Sequence, residues 1–306
     1  MARYLDPKAD LTFKRIFGEH PKLLMSFLNA VLPLESERFI EEVEYLPSDL
    51  APDSPGKKYS IVDVRCKDNY KRQFIVEMQS TWEEAFMSRI LFNAGKAYVR
   101  QLGKGNDYNL LQPVYTLAIL SRNFDHTSDR FYHHYKIVNV ENSDAVIEGL
   151  EFVLVELTEK FRPETMSDRR LAVLWLRFLK EVGEKMRSLP TEMQENEDIR
   201  KAAELCEEAG FEPAELAAYE KYWDIISTET TLFNSGLRKG RVEGREEGEA
   251  IGLKKGEAIG MEKEKEKSVI NAYKKGHSIN LISSFTDLTP EQITEILKKN
   301  TKTLRK

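Results

Sequence analysis

The sequence predicts a mixed α/β sheet flanked by helices, followed by an all-helical C-terminal extension. Up to about residue 160, segments with helical apolar spacing alternate with short apolar runs, in the order helix, three strands, helix, strand, further strands. From about residue 165 only helical spacing remains. The 306 residues are 41% apolar and 32% charged, the balance of a globular protein, and no apolar run nears the length needed to span a membrane.

The first predicted element covers residues 9–31, where Phe13, Ile16, Phe17, Leu24, Phe27, Leu28 and Val31 form one helical stripe. FIEEVEYLP (39–47) reads as a first strand, and LAPDSPGKK as a loop because of its prolines and glycine. IVDVRCKDNYKRQFIVEMQ (61–79) reads as two strands joined by a turn at Asn69-Tyr70-Lys71. A long helix follows over 81–102, stopping near Gly103 and Gly105. VYTLAIL (114–120) is a buried strand, and FYHHYKIVNV and LEFVLVEL are two more. LAVLWLRFLKEV, EDIRKAAELCEEA and PAELAAYEKYWDII are amphipathic helices, read as an extension packed on the sheet domain. The predicted organisation is a sheet domain over 1–164, a helical extension over 165–235, a glycine-repeat helix over 236–267 and a small helical module over 268–306.

Charge is graded along the chain. The net charge of −5 resolves into 0 over residues 1–110, −10 over 111–235 and +5 over 236–306. An acidic total argues only weakly against nucleic acid, since binding depends on local patches. Cys66 and Cys206 make no disulfide framework, and no Cys/His cluster has zinc-site spacing. The opening MARYLDPKADLTFKRIF lacks the pattern of a secretory signal, so a reduced cytoplasmic protein is expected.

Two carboxylates stand out. Asp63 interrupts the first strand of the 61–79 stretch and Glu77 the second, with Gln79 two residues on. Alternation puts Ile61, Asp63 and Arg65 on one face, Val62 and Val64 on the other, and Glu77 and Gln79 together. With the turn at 69–71, Cys66 opposes Phe74 and Asp63 opposes Glu77. Opposed carboxylates repel, which drives one towards protonation unless a cation lies between them. Hard oxygen ligands of this kind suit Mg²⁺ or Mn²⁺. The plainer reading is a solvated face on which these acids pair with Arg65 or Lys57.

Asp63, thirteen intervening residues, then Glu77-Met78-Gln79 resembles the D…(D/E)xK signature of the PD-(D/E)XK nuclease superfamily. Glutamine at the last position resembles the Rpn family of recombination-promoting nucleases and transposase-like proteins. DLTFKRIFG (10–18) and the stretch 88–120, with Arg89, Tyr98, Tyr108 and Pro113, resemble further segments of that family. The resemblance implies a PD-(D/E)XK nuclease-like fold and metal-dependent DNA endonuclease chemistry, with DNA as partner. It implies Asp63 and Glu77 as ligands of Mg²⁺ (or Mn²⁺), with Gln79 in the place of the superfamily lysine. A neutral amide brings hydrogen bonds but no charge, and Lys14, Arg89 and Lys96 are the candidates to supply one. Asp10 has two readings, an N-cap of the first helix or a third acid of the site. Lys14 contacts phosphate or pairs with Asp10; Arg89 clamps phosphate or pairs with Glu77 or Glu84. A non-catalytic DNA-binding or assembly protein that keeps the fold is the rival class. His133 and His134 face opposite ways on a strand and read as structural, and Trp82, Trp175 and Trp223 as packing residues.

In the tail, glycines at 236, 240, 244, 248, 252, 256 and 260 recur every fourth residue. They trace a side-chain-free groove on a helix, suited to close approach by a second copy in a homodimer, or else form a flexible linker. SVINAYKKGHSINLISSFTDLTPEQITEILKK then reads as three short helices. Gly276 ends the first, Ser278 starts the second, and Thr289-Pro290-Glu291-Gln292 starts the third in a helix-turn-helix-like order.

Overall fold

A computed structural model describes residues 3–50, 60–80, 85–166 and 168–300. They fall into two units, Met1–Thr230 and Thr231–Lys306.

The first unit is built on a six-stranded sheet. In chain order its strands are β1 (Val43–Tyr45), β4 (Val64–Asp68), β5 (Gln73–Gln79), β6 (Val114–Leu120), β7 (Tyr132–Val138) and β8 (Val146–Glu156). The spatial order is β1-β4-β5-β6-β8-β7, with β5–β6 and β6–β8 parallel and the other pairs antiparallel. The predicted mixed sheet is therefore observed. A separate ribbon pairs β2 (Asp49–Leu50) with β3 (Ser60–Ile61).

Each sheet face carries its own helices. One is covered by α1 (Asp10–Phe13), α2 (Pro21–Val31), α4 (Arg170–Glu181) and α6 (Glu197–Glu204), around Phe17, Phe27 and Trp175. Trp175 lies 5.5 Å from the Phe17 ring and 5.6 Å from that of Phe27. The helices after residue 165 thus share a core with the sheet. The other face is covered by α3 (Phe86–Val99), whose Phe86, Ile90, Ala94 and Ala97 pack with Ile75, Val114 and Ala118. That helix also makes the crossover which lets β5 and β6 run parallel.

The β4–β5 turn falls at 69–71 as predicted, with Lys71 at φ 63° and Cys66 opposite Phe74. Asp68 holds it: its carboxylate accepts the N–H groups of Tyr70 (3.0 Å) and Arg72 (2.8 Å) and pairs with the Arg72 guanidinium at 2.6 Å. His133 and His134 face opposite ways, on Glu156 and Glu151 respectively, each at 2.9 Å.

Three expectations need correction. Residues 9–31 do not form one helix: α1 runs into a π-helical turn (Lys14–Gly18), and Pro21 starts α2 afresh. The stripe stays in register across the break, so its residues are buried nonetheless. The first strand of the 61–79 stretch is also broken. β3 leaves to pair with β2, the chain bends at Asp63, and β4 begins at Val64. In consequence Val62 packs with Ile75 beneath α3, while Val64 packs with Val76 on the opposite face. Finally, β8 begins at Val146, several residues before LEFVLVEL, where an exposed extension pairs with β7.

Of α7 (Pro213–Lys274), residues 213–230 belong to the first unit, where Tyr219, Tyr222 and Trp223 pack with Leu5, Ala9 and Leu11. α5 (Thr191–Glu195) precedes α6. In the second unit α7 carries the glycine repeat and ends near Gly276 (φ 88°), a left-handed position that suits glycine. Ser278 caps α8 (Ile279–Thr286), and Thr289 and Gln292 make a capping box on α9 (Pro290–Lys299). Val269, Ala272, Ile282, Ile293 and Leu297 close a small core. Among the described residues no helix is long and apolar enough to cross a membrane.

Candidate functional site

β4–β5 pairing ends at Val64↔Val76, and one step further the register sets Asp63 across from Glu77. N–H groups along a strand point alternately to its two sides, so that of Met78 faces the side from which β4 has withdrawn. The Asp63 carboxylate accepts it at 2.6 Å. The bend that breaks the strand therefore lets the side chain replace the missing backbone partner.

Burial raises the Asp63 carboxyl above the usual value of 3.8, the Met78 bond draws it back, and Asp10 raises it again. Lys14 and Arg89 oppose that rise. The three accessory residues expected from the sequence thus all act on Asp63. Asp10 does not cap the first helix: Ala9 is the N-cap, without a side-chain bond, and Asp10 pairs with Lys14 at 2.8 Å one turn on. The N-cap reading of Asp10 is overturned.

Glu77 and Gln79 lie two apart on β5, beneath α3. Helix and strand run in opposite directions and their rises match: four helical residues advance about 6 Å and two strand residues about 6.6 Å. Accordingly Arg89 donates to Gln79 Oε1, and Asn93, one turn later, donates to Glu77 Oε1 at 3.2 Å. Glu77 is 5% exposed and Asn93 is fully buried. Ser60 Oγ meets Asn93 Oδ1 at 2.6 Å. The Arg89 guanidinium also lies over the Phe86 ring, 5.4 Å from its centroid. Arg65 turns to Gln73 (2.9 Å) rather than to Asp63. Lys96 Nζ donates to the Leu50 carbonyl at 2.6 Å. Lys57, Trp82 and Glu84 lie outside the described residues.

Sequence reasoning missed Asn93, Ser60, Ser80 and Tyr222. Ser80 Oγ and the Tyr222 hydroxyl are 2.8 Å apart, joining α7 to the end of β5. Burial raises the Tyr222 phenol above its ordinary value, the Ser80 bond draws it back, and Asp10, Asp6 and Asp63 raise it again. Asn93 had a signal, a polar residue one turn after Arg89 among apolar helix positions. Tyr222 had none, since only the fold brings it near a residue 142 positions away.

The donor set fits a hard cation. Asp63 beside the end of β5, and Glu77 and Gln79 on it, offer only oxygen donors, and the buried Glu77 carboxylate is costly to ionise unless a positive charge compensates it. Among the described residues no three His, Cys, Asp or Glu side chains gather into a metal cluster. Two protein carboxylates, with water and phosphate oxygens filling the rest of the shell, is how Mg²⁺ is commonly held.

A mixed six-stranded sheet flanked by helices, followed by a long helical region, is consistent with a PD-(D/E)XK nuclease-like fold. The chain belongs to the PD-(D/E)XK nuclease family transposases, whose sequence model matches residues 7–228. No curated protein and no solved structure matches it.

Proposed function

We propose that the protein is a Mg²⁺-dependent DNA endonuclease, with Mn²⁺ as an alternative ion, in which Asp63 and Glu77 are the ligands. The carrying observation is the Asp63–Met78 bond, which holds a half-buried carboxylate one register step from Glu77, in a chain of the PD-(D/E)XK nuclease family. The cation would polarise the attacking water and offset charge that develops on the phosphate. Arg89, fixed on Gln79, supplies the positive charge that glutamine lacks, and Lys14 adds a second cation near Asp63.

The second unit serves assembly in this reading. In α9, Gln292 is engaged in its own capping box, accepting the Thr289 N–H at 2.9 Å, so it is not spare for base reading. Val242, Ile251, Leu253, Ile259 and Met261 lie exposed along α7, which favours a homodimer formed through this helix.

Plasmid nicking with and without Mg²⁺ tests the reading, with folded Asp63→Ala as control. Cleavage that needs the metal and vanishes in the variant supports it. Metal-independent cleavage, or an active Asp63→Ala protein, overturns it. A folded protein that binds DNA without cutting it would leave the non-catalytic reading standing.

A further inference from the structure

We infer that Ser60 and Asn93 form a relay that fixes Glu77, which makes Asn93 a positioning residue for the cation; this rests on the proposed reading of Asp63 and Glu77 as its ligands. Asn93 is fully buried on the apolar face of α3, between Ile90 and Ala94. An amide there is costly unless its polar ends are partnered. Both ends are. Nδ2 donates to Glu77 Oε1 at 3.2 Å, and Oδ1 lies 2.6 Å from Ser60 Oγ.

The two contacts admit one orientation. An amide oxygen only accepts, so the Ser60 hydroxyl must donate to it. Flipping the amide would set its oxygen against the Glu77 carboxylate, acceptor against acceptor. The acceptor-only Glu77 carboxylate therefore decides which end of Asn93 faces it, and the Ser60 hydroxyl, free to rotate into the donor role, holds the opposite end in place without a bond to Glu77 itself. β3 supplies Ser60, α3 supplies Asn93 and β5 supplies Glu77, so one chain of hydrogen bonds links three elements and ends on the Glu77 carboxylate. A ligand held this way is ordered before the ion arrives. Residues that orient metal ligands typically change metal affinity by about 10–100-fold when removed.

The test is Mn²⁺ affinity of the full-length chain, read by electron paramagnetic resonance of free Mn²⁺, with melting followed in parallel. Asn93→Leu, close in volume but without polar groups, should weaken binding by about tenfold or more. Ser60→Ala should weaken it by a smaller factor, and should add nothing in the Asn93→Leu background, because it acts only through Asn93. A purely packing role would lower the melting temperature and leave affinity unchanged in the folded variants. If Asn93→Leu does not fold, Ser60→Ala decides alone, since Ser60 is only half-buried. Wild-type affinity in both variants, or in Ser60→Ala as the one folded variant, overturns the relay while leaving the metal centre intact. A wild-type chain that binds no Mn²⁺, or whose binding survives Glu77→Gln, overturns the proposed centre and the relay with it.

Discussion

The Asp63 carboxylate accepts the Met78 N–H at 2.6 Å, one strand residue past Glu77. A single side chain thus closes the backbone gap where β3 departs and is also the proposed metal ligand. These two roles differ in what they ask of its charge.

Without metal, burial favours the protonated form of Asp63, and its folded pKa lies above 3.8. For a raised acid, the stability contributed by the proton is complete below the unfolded pKa and is lost as pH rises through the folded pKa. Asp63→Asn keeps an acceptor for the Met78 N–H but carries no charge. It should therefore melt higher than the wild type at neutral pH in chelator, and the gap should close as pH falls below 3.8. Mg²⁺ should narrow the same gap at neutral pH by stabilising only the wild type. Equal melting temperatures across this range would show that Asp63 is not strained by its burial.

Arg89 on Gln79 sets a second expectation. A lysine at position 79 would restore the superfamily's charge but press it against the guanidinium already there, and like charges in a half-buried site repel. Gln79→Lys alone should lower the cleavage rate, whereas Gln79→Lys with Arg89→Leu should recover much of it. A faster Gln79→Lys single variant would mean that Arg89 does not supply the missing charge.

The strands could be read from the sequence because each is bounded by turn residues: Asn69 to Lys71 fix one end of β4 and β5, and Pro113 precedes β6. The acidic pair was legible for the same reason, since a known turn fixes the register. The bend at Asp63 was not. No glycine or proline marks it, and it arises because β3 finds a different partner from β4. In the first helix Gly18 and Pro21 did signal a break, but the stripe from Phe17 to Leu24 spans seven residues, two turns, and so conceals it. Tyr222 depends on the return of α7 to the sheet, a long-range contact that local spacing does not encode.

That contact carries its own prediction. Tyr222 and Ser80 share one hydrogen bond, and a net bond of this kind contributes about 1 kcal/mol. Tyr222→Phe and Ser80→Ala should each lower the urea midpoint slightly. Their double variant should be less destabilised than the sum, with a coupling of about 1 kcal/mol. Strict additivity would show that the two hydroxyls act separately.

The glycine repeat poses the sharpest question, because no contact among the described residues accounts for it. At Gly244, Gly248 and Gly252 an added Cβ would meet no atom within 4 Å, and each glycine costs the helix about 1 kcal/mol relative to alanine. On the proposed reading, the bare groove of a helix that forgoes this stability at a regular spacing contacts something outside the chain. A second copy is the proposed occupant. Alanine at all three positions should raise helicity, since neighbouring residues leave room for the methyl groups. Leucine has comparable propensity but would hold two helix backbones apart. The triple leucine variant should therefore stay helical by circular dichroism and lose dimer mass by light scattering. Single-strand nicking should persist in it, because Asp63 and Glu77 lie in the first unit. Coupled two-strand cutting, which requires two centres on one duplex, should fall. A monomeric wild-type chain at micromolar concentration would sink the seam and leave the repeat as a solvated helix.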